Sequence, residues 1–375
     1  MLKNIFDGVK KSLKEKSSPA QTVMNEVCDV KKNERVLIVA NPETNPIAQS
    51  LWEAAVECGA KPVIVFQQKK TSMDYAEPEV VAAIKTNPDV MFSISAHKLG
   101  KDKEAQQNPY VMEDGRTFDS TFDYLLDGKK TMRAVWTPGL TQDMFDRTVN
   151  IDYKLLGERC TKLIKKYQNV VTVHVTSPSG TDVTISVENR KAFSDDGDFT
   201  KPGTGGNIPA GEVYISPVVG KTNGTIVFDG SMTFSDGDSI LETPITVDLV
   251  NGFITEVTGG EEAKRLLKDI TAAEKESLTL EKNGKLPEGK GAEYSKNARN
   301  IGELGIGLNP AASITGNMLE DEKAFRTCHF AVGQNYDGDA PALIHFDGVV
   351  RNPTITFIYK DGSEYVALKN GDLQI

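Results

Sequence analysis

No stretch of the chain approaches the roughly 20 consecutive apolar residues that a membrane-spanning helix needs. The Lys-rich start, Met1 to Ser18, has neither an apolar centre nor a cleavage site. The sequence therefore predicts a cytoplasmic protein with no membrane partner. Cysteine is scarce as well. Cys28, Cys58, Cys160 and Cys328 are scattered with no C-x-x-C pair, which excludes a disulfide framework and points to reduced thiols. Positive charge is outnumbered: 43 Lys and Arg face 53 Asp and Glu, a net charge of −10. Nucleic acid and anionic membranes both want a basic face, so neither is expected as a partner. Glycine is absent from the loop after the first apolar run, Asn41-Pro42-Glu43-Thr44-Asn45-Pro46, and no G-x-x-x-x-G-K-[ST] occurs anywhere. A dinucleotide or P-loop site is thereby excluded.

What is present is a chain of 375 residues, long enough for two domains. Residues 1–30 read as one or two helices, broken near Ser17-Ser18-Pro19. Arg35–Ala40 is an apolar run suited to a strand buried on both faces. A helix opens at Asn45-Pro46, presents Ile47, Leu51, Ala54, Ala55 and Cys58 on one face, and ends at Gly59. Strands at Pro62–Phe66, Val90–Ile94 and Arg133–Thr137, with a helix at Glu79–Lys85 between them, complete βαβ units around a mainly parallel sheet. Lys98–Lys130 reads as an irregular excursion. A single helix over Gln142–Tyr167 is expected to connect this α/β domain, residues 1–168, to a β-rich α+β domain, residues 169–375.

In the second half the pattern alternates. Val171–Thr176 and Asp182–Val187 flank a Ser-Pro-Ser-Gly turn, and Asn251-Gly252 joins Ile245–Val250 to Phe253–Val257 as a hairpin. A helix is expected over Glu261–Ile270, followed by an exposed polar segment to about Lys290. The glycine-rich loop at 203–211 precedes no helix, so it makes a weak anion cradle. The Asp-Gly pieces at 195–198 and 236–238 lack EF-hand spacing and read as turns.

Two of only four histidines, His329 and His345, fall late in this half. His174 and His97 read as ordinary residues, and Cys328 as core. His345 and Asp347 stand two apart, and in a strand i and i+2 share a face. Glu212 and Glu303 each follow a glycine at the start of a β-like piece. Glu212, Glu303, His329, His345 and Asp347 together offer three carboxylates and two imidazoles. That set suits Zn²⁺, Co²⁺, Mn²⁺ or Fe²⁺, and the lack of thiolates argues against a structural zinc. Three carboxylates exceed the usual needs of one catalytic metal, which favours a pair of ions ~3.5–4 Å apart sharing a carboxylate and a water. The alternative is that His329 and His345 are plain strand residues.

Gly211-Glu212-Val213-Tyr214-Ile215-Ser216-Pro217, Gly302-Glu303-Leu304-Gly305-Ile306-Gly307, Asp321-Glu322, the run Thr327 to Tyr336, and His345-Phe346-Asp347 resemble motifs of the thermophilic-type metalloaminopeptidases (aminopeptidase T, aminopeptidase S and PepS). The resemblance implies a dimetal site on Glu212, Glu303, His329, His345 and Asp347, and places Tyr336 at the family's active-site tyrosine. It also implies a homodimer that hydrolyses N-terminal residues from peptide substrates with two divalent ions (Zn, Co or Mn). Glu303 would act in catalysis with Tyr336, and the substrate amine would meet a metal or an acidic residue such as Glu320 or Glu322. The same fold serves 2,5-dihydroxypyridine 5,6-dioxygenase, which implies an alternative: one Fe(II) on His329, His345 and Asp347, opening a ring with dioxygen.

Overall fold

The structure, a computed structural model, describes residues 17–71 and 73–375. The helical expectation for residues 1–16 falls outside that range. The chain divides into two compact units, residues 1–150 with 198–208, and residues 151–197 with 209–375.

The first unit is built on a five-stranded parallel sheet. Its elements are β1 (Arg35–Ala40), α1 (Asn45–Glu57), β2 (Lys61–Phe66), α2 (Pro78–Lys85), β3 (Val90–Ile94) and β4 (Arg133–Trp136). Central β1 is buried from Val36 onward, as its unbroken apolar run requires. Proline at the first turn of α1 and Gly59 at φ 75° just beyond it bound that helix as expected. The excursion over Lys98–Lys130 is less irregular than its composition suggests. It folds into short helical turns and a small hairpin, and sends Leu125 and Leu126 into a core with Leu37, Val39, Ile84 and Met91. The glycine-rich segment also returns here. Gly205–Asn207 pairs beside β4, where a Cβ at Gly205 would lie 2.5 Å from the Ala134 carbonyl oxygen.

The expected Gln142–Tyr167 helix is two helices. One covers Gln142–Thr148, and α3 (Tyr153–Tyr167) restarts at Asp152, whose backbone is extended and whose side-chain Oδ1 accepts the Leu155 N–H at 2.9 Å. The boundary between units accordingly lies at 150/151 rather than 168. Within the second unit α3 buries Leu156, Cys160, Leu163 and Tyr167, and the Tyr167 ring lies 4.3 Å from that of Phe357.

The remaining strands of that unit are β5 (Val170–Thr176), β6 (Asp182–Ser186), β7 (Phe193–Asp195), β8 (Glu212–Ile215), β9 (Thr222–Phe228), β10 (Ser231–Phe234), β11 (Gly237–Ile240), β12 (Ile245–Val250) and β13 (Phe253–Thr258). Helix α4 (Glu261–Lys282) and α5 (Lys290–Asn297) then lead to β14 (Ile301–Gly307), β15 (Thr327–Gly333), β16 (His345–Arg351), β17 (Thr354–Tyr359), β18 (Glu364–Lys369) and β19 (Asp372–Leu373). One sheet has eight strands in the order β13-β12-β9-β6-β5-β17-β18-β19. The other has seven, in the order β11-β10-β16-β15-β14-β8-β7. The β12–β13 hairpin turns on Asn251 and Gly252, both at positive φ. Helix α4 runs well past Ile270, because Ala273 and Ser277 extend its buried face; the segment expected to be exposed is half of a helix pair. The architecture is thus a mixed α/β fold with one parallel sheet and two β-rich sheets.

Phe357 is wholly buried under α3. Phe357→Ala is expected to lower the stability of the protein by about 3–5 kcal/mol, measured by urea unfolding. A loss under ~1 kcal/mol would contradict the packing of α3 on this sheet.

Candidate metal centre

Strand alternation builds the site. Across the antiparallel β8–β14–β15–β16 array, Glu303 stands opposite Ala331 and Ala331 opposite Asp347; one row on, Tyr214, Gly305, His329 and Val349 are in register. Glu212 faces Gly307 and His345 faces Gly333 in the flanking rows. Steps of two along each strand keep all of these on one face. The intervening Leu304, Ile306, Cys328, Phe330, Val332 and Phe346 are buried on the other. The glycines are part of the design. A Cβ at Gly305 would meet the His329 ring at 2.1 Å, and one at Gly307 would meet the Ala324 carbonyl oxygen at 2.1 Å.

The five expected side chains come together. His329 Nε2 lies 3.1 Å from Glu303 Oε1 and 3.4 Å from Glu212 Oε2; His345 Nε2 lies 3.4 Å from Asp347 Oδ1 and 3.7 Å from Glu303 Oε2. The Nδ1–H of His345 donates to the Gln334 carbonyl at 2.8 Å, which fixes the ring and turns Nε2 toward the carboxylates. Tyr336 is more exposed, its ring 5.2 Å from that of His345 and 5.3 Å from that of Tyr214. Arg190 holds the link after it, 2.8 Å from Asp339 and 3.7 Å from Asp337. Of the two acids expected near a substrate amine, Glu322 joins the cluster. Glu320 instead accepts the Ser313 N–H at 2.8 Å, steadying a nearby turn. His174 pairs with Asp182 at 2.8 Å, away from the cluster on a strand of the eight-stranded sheet. Cys328 is buried, and burial pushes its thiol up.

Lys323 was not anticipated. Its side chain is fully buried, 3.2 Å from Glu212 Oε1 and hydrogen-bonded to Glu322 Oε1. In sequence it directly follows Asp321-Glu322, but nothing in the spacing marks it; only the tertiary fold turns it inward. Tyr214, beside Glu212 on β8, was also missed.

The groups polarise one another. Burial opposes charge on His345, but the Asp347 carboxylate 3.4 Å away and Glu303 lift its pKa to about 10. Burial likewise opposes charge on His329, which the Glu303 hydrogen bond and the charges of Glu212 and Glu303 raise to about 9. Burial would raise Asp347, yet His345 holds it at about 2. Burial raises Glu303, and it raises Glu322 to about 8 even against Lys323. Four buried atoms here have no hydrogen-bond partner: Glu212 Oε2, Glu303 Oε2, His329 Nδ1 and Asp347 Oδ1. Three of them are carboxylate oxygens 3.4–3.7 Å from an imidazole nitrogen with no hydrogen bond made, and a divalent cation would satisfy all three. Among the described residues, three sets have ligand atoms within 4.8 Å of one another: Glu212, Glu303 and His329; Glu303, His345 and Asp347; and Glu322, His329 and Asp347. His329 and His345 share no set, but each shares Glu303 and Asp347 with the other. The donors fit a divalent metal.

A model of the 2,5-dihydroxypyridine 5,6-dioxygenase family (NicX) matches residues 150–373. The chain belongs to this family. That match spans more than half of the chain and every residue of the cluster. No curated protein matches the sequence. Among solved structures, 2,5-dihydroxypyridine dioxygenase from Pseudomonas putida KT2440 is similar with a TM-score of 0.66 and 18% identity, over 95% of this chain and 96% of that one. Wild-type AmpT from Thermus thermophilus is similar with a TM-score of 0.64 and 14% identity, over 95% and 98%. At such identities the likeness speaks for the fold alone. The expected kinship with the metalloaminopeptidases therefore holds at the level of fold, while the family is that of the NicX dioxygenases, the alternative that the motifs left open. Among the described residues no helix is long and apolar enough to cross a membrane.

With both imidazoles protonated near neutral pH, a metal must displace their protons to bind. Titration calorimetry with Mn²⁺ at pH ~7.5 in buffers of different ionisation enthalpy is expected to report roughly two protons released per ion, with affinity falling as the pH is lowered toward ~6. A heat independent of buffer would show that these imidazoles do not take the metal.

Proposed function

We propose that this protein is a metal-dependent dioxygenase that opens a hydroxylated pyridine ring, with His329, His345 and Asp347 holding the metal and Glu303 beside it. The observation that carries this reading is the NicX family match over the unit that contains the cluster. Two imidazoles and a carboxylate suit ferrous iron, which when bound supplies the one-electron chemistry that dioxygen requires.

The chain's own residues do the remaining work. Phe193, Tyr214 and Tyr336 form a run of rings, spaced 5.9 Å and 5.3 Å, that reaches His345. A planar heteroaromatic substrate stacks well on such a surface. Gln334 keeps His345 in one orientation through its carbonyl. Glu303, whose carboxyl burial pushes up, accepts a proton from a ring hydroxyl as the substrate binds.

A second reading, removal of N-terminal residues from peptides, is favoured by one observation: Glu212 and Glu303 both lie buried against His329. In that reading Glu303 relays a proton to the leaving amine and Tyr336 donates to the developing oxyanion.

The decisive measurement is oxygen uptake by the ferrous-loaded full chain given 2,5-dihydroxypyridine, with leucine p-nitroanilide tested in parallel under Zn²⁺, Co²⁺ and Mn²⁺. Oxygen consumed in step with ring loss is expected. Asp347→Asn is expected to reduce it by more than ~100-fold, since even residues behind metal ligands contribute up to that factor. Anilide turnover without oxygen uptake would transfer the site to the peptidase reading.

A further inference from the structure

Of the three sets of side chains able to hold an ion, two contain a carboxylate already bonded to Lys323. Glu212 belongs to the set with Glu303 and His329, and Glu322 to the set with His329 and Asp347. Glu303, His345 and Asp347 form the set that Lys323 does not touch. The ammonium is delivered by a fixed backbone. The Lys323 N–H donates to the Glu320 carbonyl at 2.9 Å, and its own carbonyl accepts from the Asn309 N–H at 3.0 Å. The side chain is entirely shielded from solvent. A lysine so placed stays charged only because the carboxylates around it compensate for lost hydration.

We infer that Lys323 stands in for a second metal: its ammonium neutralises Glu212 and Glu322, so the cluster accepts one divalent ion, on the side of His329, His345 and Asp347 with Glu303 beside it. A second ion bound through Glu212 or Glu322 would have to sit against a fixed positive charge in a poorly hydrated site, where like charges repel most strongly. The inference rests on the metal-binding part of the reading above and adds what sets the number of ions. It makes Lys323 a positioning residue; no role in touching substrate is assigned to it.

The test counts ions. Full-length protein, stripped with a chelator, is titrated with Mn²⁺ and analysed by equilibrium dialysis with elemental analysis, and by electron paramagnetic resonance, which separates isolated from spin-coupled ions. Wild type and Lys323→Arg are expected to bind one uncoupled Mn²⁺ per chain. Lys323→Met is expected to bind two, spin-coupled, with the second at least ~100-fold tighter than any second ion in wild type. Should Lys323→Met fail to fold, Glu322→Gln/Lys323→Met removes the buried pair together and still frees Glu212, so a second ion is again expected. Two coupled ions in wild type, or one ion in the folded lysine-free variants, would overturn the inference. Zero ions in wild type would overturn it together with the metal-binding reading. One ion without oxygen uptake on 2,5-dihydroxypyridine would leave the inference supported and remove the dioxygenase assignment alone.

Discussion

Three carboxylates on one buried sheet face and a fourth, Glu322, from the turn before β15 repel one another, and that repulsion sets the terms for everything around them. Two unit charges about 4 Å apart at an effective dielectric near 20 interact by roughly 4 kcal/mol, so Glu212, Glu303, Glu322 and Asp347 cannot be left as bare neighbours. Three cationic groups answer them: Lys323, His329 and His345, each within 4 Å of at least one carboxylate. The balance still leaves one oxygen each on Glu212, Glu303 and Asp347 at 3.4–3.7 Å from an imidazole nitrogen with no hydrogen bond. A divalent cation would complete it. The surrounding fold holds strongly interacting charges at fixed spacing, which is what a metal site needs before the metal arrives.

That spacing comes from the sheet. Antiparallel pairing fixes the rows, and glycine at 305 and 307 leaves the volume that the His329 ring and the Ala324 carbonyl fill. The opposite face, with Leu304, Ile306, Phe330 and Val332, is apolar and wholly buried. Each strand therefore carries chemistry on alternate residues and cohesion on the others. A one-residue slip would exchange the two sets, so the pairing that stabilises the unit is also the one that assembles the cluster.

This is why the site was legible in the sequence to the extent it was. His345-Phe346-Asp347 declares its shared face by spacing alone, and Gly302-Glu303-Leu304-Gly305 carries the same alternation. The parallel strands of the first unit announce themselves through unbroken runs such as Val36 to Ala40, and the Asn251-Gly252 turn through its composition. What could not be read was set at a distance. The break between Thr148 and Tyr153 depends on Asp152 capping a new helix, a signal that the continuous apolar stripe conceals. Leu125 and Leu126 look like part of a polar excursion until the core receives them. Lys323 is the sharpest case: it stands beside the Asp321-Glu322 motif without belonging to it, and only Glu212, brought by β8, gives it a meaning.

Lys323 also changes how Glu212 should be weighed. On sequence grounds, the presence of both Glu212 and Glu303 counts toward a two-metal hydrolase, because a two-histidine, one-carboxylate site needs neither. That inference treats every buried carboxylate as a prospective ligand. The structure gives Glu212 Oε1 another partner, an ammonium 3.2 Å away that no solvent reaches, and gives Glu322 the same one. A carboxylate neutralised by a lysine no longer counts toward a second ion, so Glu212 and Glu322 remain in the cluster as partners of the ammonium. Glu303 Oε2 makes no hydrogen bond and faces His345 at 3.7 Å, on the side of the cluster away from the ammonium's two carboxylates.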